Sequence, residues 1–115
     1  MKRVKVKEIN LEKGSPQVPE ALRNMVNGMT TAKMEGYKAC ILIHGYGSTG
    51  EGGAIREAVI RKLQDQSLRG IVLDYVSGEN WGDKKEKFLN HTNQLKDFQR
   101  YIHENKGVTV VLFRA

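Results

Sequence analysis

Hydrophobic and basic residues alternate at the start of the chain. From Arg3 to Lys7 the sequence reads Arg-Val-Lys-Val-Lys, which places two valines on one face and basic side chains on the other. This period-two alternation predicts a half-buried strand. The apolar phase then shifts, because Ile9 and Leu11 fall on odd positions. We therefore expect a bulge or break near Lys7 and Glu8.

Three later segments repeat apolar residues at spacings of three and four, which is typical of helices that bury one face. They predict helices over about 18–33, 53–66 and 88–102. Short apolar, β-branched runs predict three more strands, at 38–43, 71–76 and 108–113. The polar stretch 77–87, which contains Trp81, predicts an exposed loop. The alternating order of strands and helices indicates an α/β fold with helices packed on a small sheet.

Length and composition exclude several classes of protein. The 115 residues are 39% hydrophobic and 28% charged, which suits one globular domain. The longest apolar run, Ala39 to Ile43, is far shorter than the roughly 18 residues of a membrane span, and the charged start does not resemble a secretion signal. We therefore expect a cytoplasmic protein with no membrane partner. The lone Cys40 excludes an internal disulfide and a zinc module, and no metal site is predicted.

The charge balance favours an anionic partner. Nineteen Lys and Arg residues against thirteen Asp and Glu give a formal net charge of +6. Nucleic acid is the first candidate, although such a charge can also serve solubility alone.

A glycine-rich loop carries the most informative chemistry. Five glycines fall between His44 and Gly53, directly after a predicted buried strand and before a helix. Glycine lets backbone N–H groups approach a phosphate, and the helix N-terminus adds a positive dipole. Ser48 and Thr49 can donate hydroxyl hydrogen bonds, and Arg56 can supply two parallel donors. The alternative is a connecting loop without a ligand.

Two known nucleotide-binding motifs, the Walker loop and the dinucleotide fingerprint, are candidates for this glycine-rich loop. A Walker loop needs a lysine after its last glycine, which is missing here. Gly45-x-Gly47-x-x-Gly50 matches the dinucleotide fingerprint, and Asp74 follows at about the distance of a ribose-binding acid. A nucleotide-binding or dinucleotide-binding protein is therefore an alternative.

The same loop and its flanks resemble the Smr (small MutS-related) domain. The resemblance rests on Ile-His-Gly-Tyr-Gly-Ser at 43–48, Ile-Arg-Glu-Ala-Val at 55–59, and the late strand at 107–112. It implies a compact two-layer α/β sandwich with a small mixed four-stranded sheet, similar to the C-terminal domain of the third bacterial translation initiation factor. It implies one domain over 1–115, with an added loop and helix at about 77–106.

The resemblance also implies a function. Smr domains bind DNA or RNA, and some members nick or cleave nucleic acid in repair, recombination or RNA quality control, in some cases at the ribosome. An endonuclease of this kind would be a phosphodiester hydrolase, with Mg²⁺ or Mn²⁺ as the expected cofactor if it cleaves. A protein-binding adaptor that uses the helix around Phe98 is the other alternative.

The sequence departs from the family at an early motif that contributes an acid and a histidine. Asn10 stands in place of the acid and Glu12 in place of the histidine. Asparagine cannot act as a base, so part of the cleavage apparatus is missing unless Glu12 replaces it. His44 is the other catalytic candidate, with a structural histidine as its alternative.

The remaining predicted contacts are with phosphate groups and the nucleic-acid backbone. The phosphate-binding set is Gly45, Tyr46, Gly47, Ser48, Thr49, Gly50 and Arg56. A basic stripe along the first strand adds Arg3, Lys5 and Lys7. A second basic patch lies beside Trp81 and consists of Lys84, Lys85 and Lys87.

Overall fold

A four-stranded mixed sheet with helices on both faces forms the protein. The computed structural model describes residues 4–46 and 52–115. The strands are β1 (Val6–Asn10), β2 (Ala39–Ile43), β3 (Val72–Ser77) and β4 (Val108–Phe113). The helices are α1 (Val18–Met34), α2 (Gly52–Leu63), α3 (Trp81–His91) and α4 (Gln99–Ile102). Short 3₁₀ turns lie at Gln66–Leu68, Gly78–Asn80 and Asn93–Phe98.

The strand order is β1-β2-β4-β3. β1 runs parallel to β2, whereas β4 is antiparallel to both of its neighbours, β2 and β3. All six residues of β4 are buried. The predicted α/β class and mixed four-stranded sheet are confirmed.

Helices α1 and α2 cover one face of the sheet. Their apolar stripes, including Met25, Met29 and Val59, pack with Leu42 and Val111 in one core cluster. The sheet and these two helices form the predicted two-layer sandwich, and the segment between β3 and β4 adds a cover on the opposite face.

The segment between β3 and β4 covers the other face. Trp81, Phe88 and Ile102 from this segment pack against sheet residues such as Ile41 and Val110. The predicted exposed loop at 77–87 is wrong, because α3 begins at Trp81, whose side chain is buried. The predicted helix over 88–102 is interrupted at Thr92, whose backbone is extended. That the segment is an addition to the family's fold stays a prediction.

The predicted break in the first strand is also wrong. β1 pairs continuously with β2 from Val6 to Asn10. Val6 belongs to the cluster under α3, whereas Ile9 packs on the cluster under α1. The apolar phase shifts because Val6 and Ile9 pack on opposite faces of the sheet, whereas a half-buried strand packs its apolar residues on one face.

Candidate functional site

Several candidate residues, among them Glu12, His44, Gly45 and Tyr46, follow strands that end at one edge of the sheet, here called the carboxyl edge. The carboxyl ends of β1, β2 and β3 meet there with the amino end of β4, since Asn10 pairs with Ile43, Ile43 with Val108, and Ser77 with Thr109. Ligands of open α/β sheets commonly bind beyond the carboxyl ends of strands. This edge is therefore the candidate site.

His44 leaves β2 at this edge and is completely buried. Its Nδ1 lies 2.6 Å from the Gly45 carbonyl oxygen, and its Nε2 lies 2.8 Å from Thr109 Oγ1. A carbonyl can only accept, so Nδ1 carries the proton and Nε2 accepts from the threonine hydroxyl. The backbone N–H groups of His44 and Gly45 both donate to the Gly107 carbonyl, at 2.9 and 3.0 Å.

The surroundings of His44 favour a neutral imidazole. Burial lowers its pKa, the hydrogen bond to Gly45 raises it in part, and the positive charge of Arg56 lowers it further. Both ring nitrogens are already engaged with protein groups. This arrangement suits a histidine that fixes the start of the loop, and proton transfer by His44 stays a prediction.

Glu12, just after the end of β1, contacts the backbone at Gly45. A Cβ placed on Gly45 would lie 2.5 Å from Glu12 Oε2, so the carboxylate lies directly against that glycine. Gly45 has a φ of +72°, a conformation that glycine tolerates best. The structure thus places Glu12 against the residue that follows His44, the other predicted catalytic residue.

Asn10 has a structural role in the same turn. Its Oδ1 accepts hydrogen bonds from the backbone N–H groups of Glu12 and Lys13, each at 3.0 Å. This side-chain turn orders the chain as it leaves β1.

Tyr46 extends from the edge toward solvent. Its side chain is 55% exposed. One ring atom, Cδ1, lies 3.6 Å from the position of a Cβ on Gly107, so the ring stands beside the loop before β4. The other predicted loop ligands, Gly47, Ser48, Thr49 and Gly50, lie outside the described residues.

Arg56 lies one turn into α2 and forms an ion pair with Glu79. The glutamate comes from the 3₁₀ turn after β3 and also lies 3.5 Å from Ser77 Oγ. Arg56 Nε is buried and has no hydrogen-bond partner among the described residues. Sequence reasoning missed Glu79 and Thr109, because neither stands in a recognisable motif and both reach the site through sheet pairing.

The basic residues of the first strand lie away from this edge. Lys7 Nζ stands 5.5 Å from the centre of the Tyr37 ring, near the amino end of β2. The backbone N–H of Lys5 donates to Gln94 Oε1. The structure therefore does not bring Lys5 and Lys7 to the carboxyl edge, and Arg3 lies outside the described residues.

In the second basic patch, two of the three lysines form ion pairs with Asp74. Lys84 and Lys87 lie 2.8 and 2.6 Å from the Asp74 carboxylate. Burial raises the pKa of Asp74, but the hydrogen bonds from both lysines outweigh it, so the pKa lies below its ordinary value. Asp74 pairs with Leu112, toward the far edge of the sheet from Gly45. It is not placed to bind a ribose at the glycine loop, as the dinucleotide alternative requires.

Within residues 4–46 and 52–115, no three His, Cys, Asp or Glu side chains are grouped to hold a metal ion. None of the helices in these ranges combines the length and hydrophobicity needed to span a bilayer.

Comparison with known proteins gives one result on the fold. No protein-family model matches the sequence, and no curated protein matches it. Among solved structures, the Smr domain of Thermus thermophilus MutS2 superposes with a TM-score of 0.57. The match covers 97% of this chain and 100% of that one, at 23% sequence identity.

The chain has the Smr fold. His44, Gly45 and the ion pair of Arg56 with Glu79 lie at the carboxyl edge of this Smr-like domain, and His44, Gly45 and Arg56 belong to the motifs that carry the sequence resemblance. At this identity the likeness shows the fold, and the activity is taken up below.

Proposed function

We propose that this Smr-like domain binds the phosphate backbone of DNA or RNA at the carboxyl edge of its sheet. The observation that carries the proposal is Arg56, which lies one turn into α2 and pairs with Glu79 of the turn after β3. Its Nε is buried without a partner among the described residues. A phosphate oxygen is a natural acceptor for such a donor.

The ion pair with Glu79 leaves capacity for a phosphate. A guanidinium has five N–H donors, and one carboxylate engages at most two of them. Among the described residues from Gly52 on, the first turn of helix α2 contains no acidic side chain. The helix N-terminus and Arg56 therefore offer positive potential to the same ligand.

Tyr46 supports binding of unpaired strands. Its exposed ring stands at the exit of β2, next to the loop before β4. A base can stack on such a ring without sequence preference. Single-stranded regions are therefore the favoured substrate, and the net charge of +6 supports their attraction.

We assign binding, and not proton transfer, to the loop around His44. Both nitrogens of the imidazole are occupied and the ring is buried, which leaves no free base for a substrate. Cleavage would instead require Glu12, with Mg²⁺ or Mn²⁺ supplied by the medium. Roles in repair, recombination or RNA quality control in the cytoplasm, and at the ribosome, stay predictions.

The test measures binding and cleavage together. Labelled single-stranded, duplex and branched DNA and structured RNA are titrated by fluorescence anisotropy at about 50 and about 200 mM salt. The same mixtures, with and without Mg²⁺ or Mn²⁺, are run on denaturing gels. We expect salt-sensitive binding, tightest for substrates with single-stranded regions.

Arg56→Gln identifies the site. We expect this variant to weaken binding about tenfold and to lower the slope of log K against log salt by about 0.7–0.9, the loss of one phosphate contact. Arg61→Gln removes the same charge from the last turn of α2 and is expected to change affinity less than about twofold. Equal effects of the two variants would contradict the site, and no binding by the wild type would contradict the function.

Glu79→Gln tests the ion pair. The change removes the competing carboxylate from Arg56, so we expect tighter binding at low salt, by about threefold, and a convergence with wild type at high salt. Weaker binding would mean that Glu79 must hold Arg56 in place. Titration with ATP and NAD tests the alternative of a nucleotide-binding protein. If the protein binds neither nucleotides nor nucleic acid, the protein-binding adaptor is the alternative that remains.

A further inference from the structure

A second anion-binding feature lies on the segment that covers the other face of the sheet. A surface cavity of about 460 Å³ opens between α3 and α4. It is lined by Trp81, Lys85, Gln99, Arg100 and His103. None of these residues belongs to the site at the carboxyl edge described above.

The lining of this cavity is basic. Lys85 and Arg100 are cationic, and no carboxylate from the described part of the chain lines the cavity. Across residues 4–46 and 52–115, neither Lys85 nor Arg100 forms an ion pair. Their neighbours Lys84 and Lys87, by contrast, are both held by Asp74. Unpaired cations that converge on one cavity favour an anionic ligand.

Trp81 supplies a second, independent observation. Its side chain is 1% exposed and meets Phe88 edge to face, with ring centres 5.9 Å apart. The buried indole Nε1 has no hydrogen-bond acceptor in the described part of the chain. Buried donors almost always have a partner, and this unsatisfied donor belongs to a residue that lines the basic cavity.

The cavity lies at the same end of the sheet as Arg56. Trp81 directly follows the 3₁₀ turn that contains Glu79, the partner of Arg56. On its other side, the Glu104 N–H next to His103 donates to the Gly78 carbonyl at 3.0 Å. The turn at 78–80 therefore links the wall of the cavity at Trp81 to Glu79, the partner of Arg56.

We propose that the cavity between α3 and α4 holds a further phosphate of the bound nucleic-acid backbone. Lys85, Arg100 and His103 donate to its oxygens, and Gln99 adds a neutral donor. This inference rests on the proposed function and extends its contact surface from the carboxyl edge to the segment 77–106. The ligand chemistry is a phosphodiester, so free phosphate species form a separate arm of the test.

The test compares two doubly substituted proteins. Lys85→Gln with Arg100→Gln removes two charges from the cavity, and Arg23→Gln with Arg69→Gln removes two exposed charges elsewhere. A labelled oligo(dT) is titrated by anisotropy over a range of salt concentrations. We expect the cavity variant to bind about tenfold more weakly, with a slope smaller by about 0.7, and the control to change less than about twofold.

The Trp81 indole reports on the cavity directly. It is the single tryptophan of the chain, so its N–H gives one signal in a ¹H–¹⁵N spectrum. Oligo(dT) should shift this signal in the wild type and in the control variant, but not in the cavity variant. Inorganic pyrophosphate, tested alone, should shift it only weakly.

The outcomes separate the two proposals. If the wild type binds oligo(dT) and the cavity variant binds equally well, the cavity proposal is wrong and the proposed function stands. If the wild type binds no oligonucleotide, the proposed function fails. If pyrophosphate then shifts the Trp81 signal, the cavity binds a free anion and not a backbone phosphate, and this proposal is overturned.

Discussion

Replacing His44 tests the assignment of a structural role. His44→Ala removes a completely buried ring and leaves the buried Thr109 hydroxyl without its partner. An unsatisfied buried group costs about 1–3 kcal/mol, and the cavity left by the ring adds about 1–2 kcal/mol. We expect the free energy of unfolding to fall by about 3 kcal/mol in total, which lowers Tm by about 10 °C in a domain of this size.

The pH dependence of the unfolding free energy shows whether His44 is buried as a neutral imidazole or contributes to stability through packing alone. The pKa of His44 in the folded protein lies below its ordinary value of 6.5. As pH falls below 6.5, the unfolded chain therefore takes up a proton before the folded one does. The stability contributed by neutral His44 is complete above pH 6.5 and declines as pH falls toward the folded pKa. His44→Gln does not titrate, so its unfolding free energy should decline less.

The assay is urea unfolding followed by Trp81 fluorescence at about pH 7.5 and about pH 5.5. His91→Gln is the control, because burial and the charges of Lys38 and Lys87 lower the pKa of His91 in the same direction. Comparison of the two variants assigns the slope to one histidine. If wild type and His44→Gln lose the same free energy between the two pH values, the reasoning on His44 is refuted.

Three further substitutions test the packing and the ion pairs of the fold. Gly78→Ala would place a Cβ against the Asn105 carbonyl and 2.7 Å from the Ile102 carbonyl, so we expect a loss of more than about 2 kcal/mol in unfolding free energy. Gly82→Ala, in the open on α3, should instead stabilise by about 0.5–1 kcal/mol, and equal effects in thermal unfolding would contradict the packing. Asp74→Asn should cost about 1 kcal/mol at neutral pH, because two partly exposed lysines lose their partner. Since the pKa of Asp74 is lowered, the difference from wild type should disappear as pH falls below 3.8, and a difference that persists there would exclude these ion pairs as its cause.

The regular elements with one buried face could be predicted from the sequence. The stripe of α1 and the apolar run of β4 have a clear period or a clear composition, and both lie where the pattern indicates. The segment 77–91 could not be predicted in this way. Trp81 and Phe88 are the buried residues of α3, and the polar and charged residues between them make the sequence look like a loop.

The site was predicted in part. His44, Gly45 and Arg56 stand in a motif, so a sequence pattern could find them, and Glu12 was found from its place in the early motif. Glu79 and Thr109 come from elements far along the chain, and only strand order brings them to the site. The hydrogen bonds that fix the tautomer of His44 follow from that order and cannot be deduced from spacing.

The central position of β4 has a consequence for the dynamics of the site. β2 and β3 touch within the sheet only through β4, so the strand that carries His44 and the strand that leads to Glu79 have no direct pairing. Amide protons of β4 should therefore be the slowest to exchange with solvent, because their opening requires the whole sheet to separate. His44 and Glu79 keep their relative position as long as β4 stays paired with both β2 and β3. Local opening of the outer strand β1 leaves the pairing between β2, β4 and β3 intact.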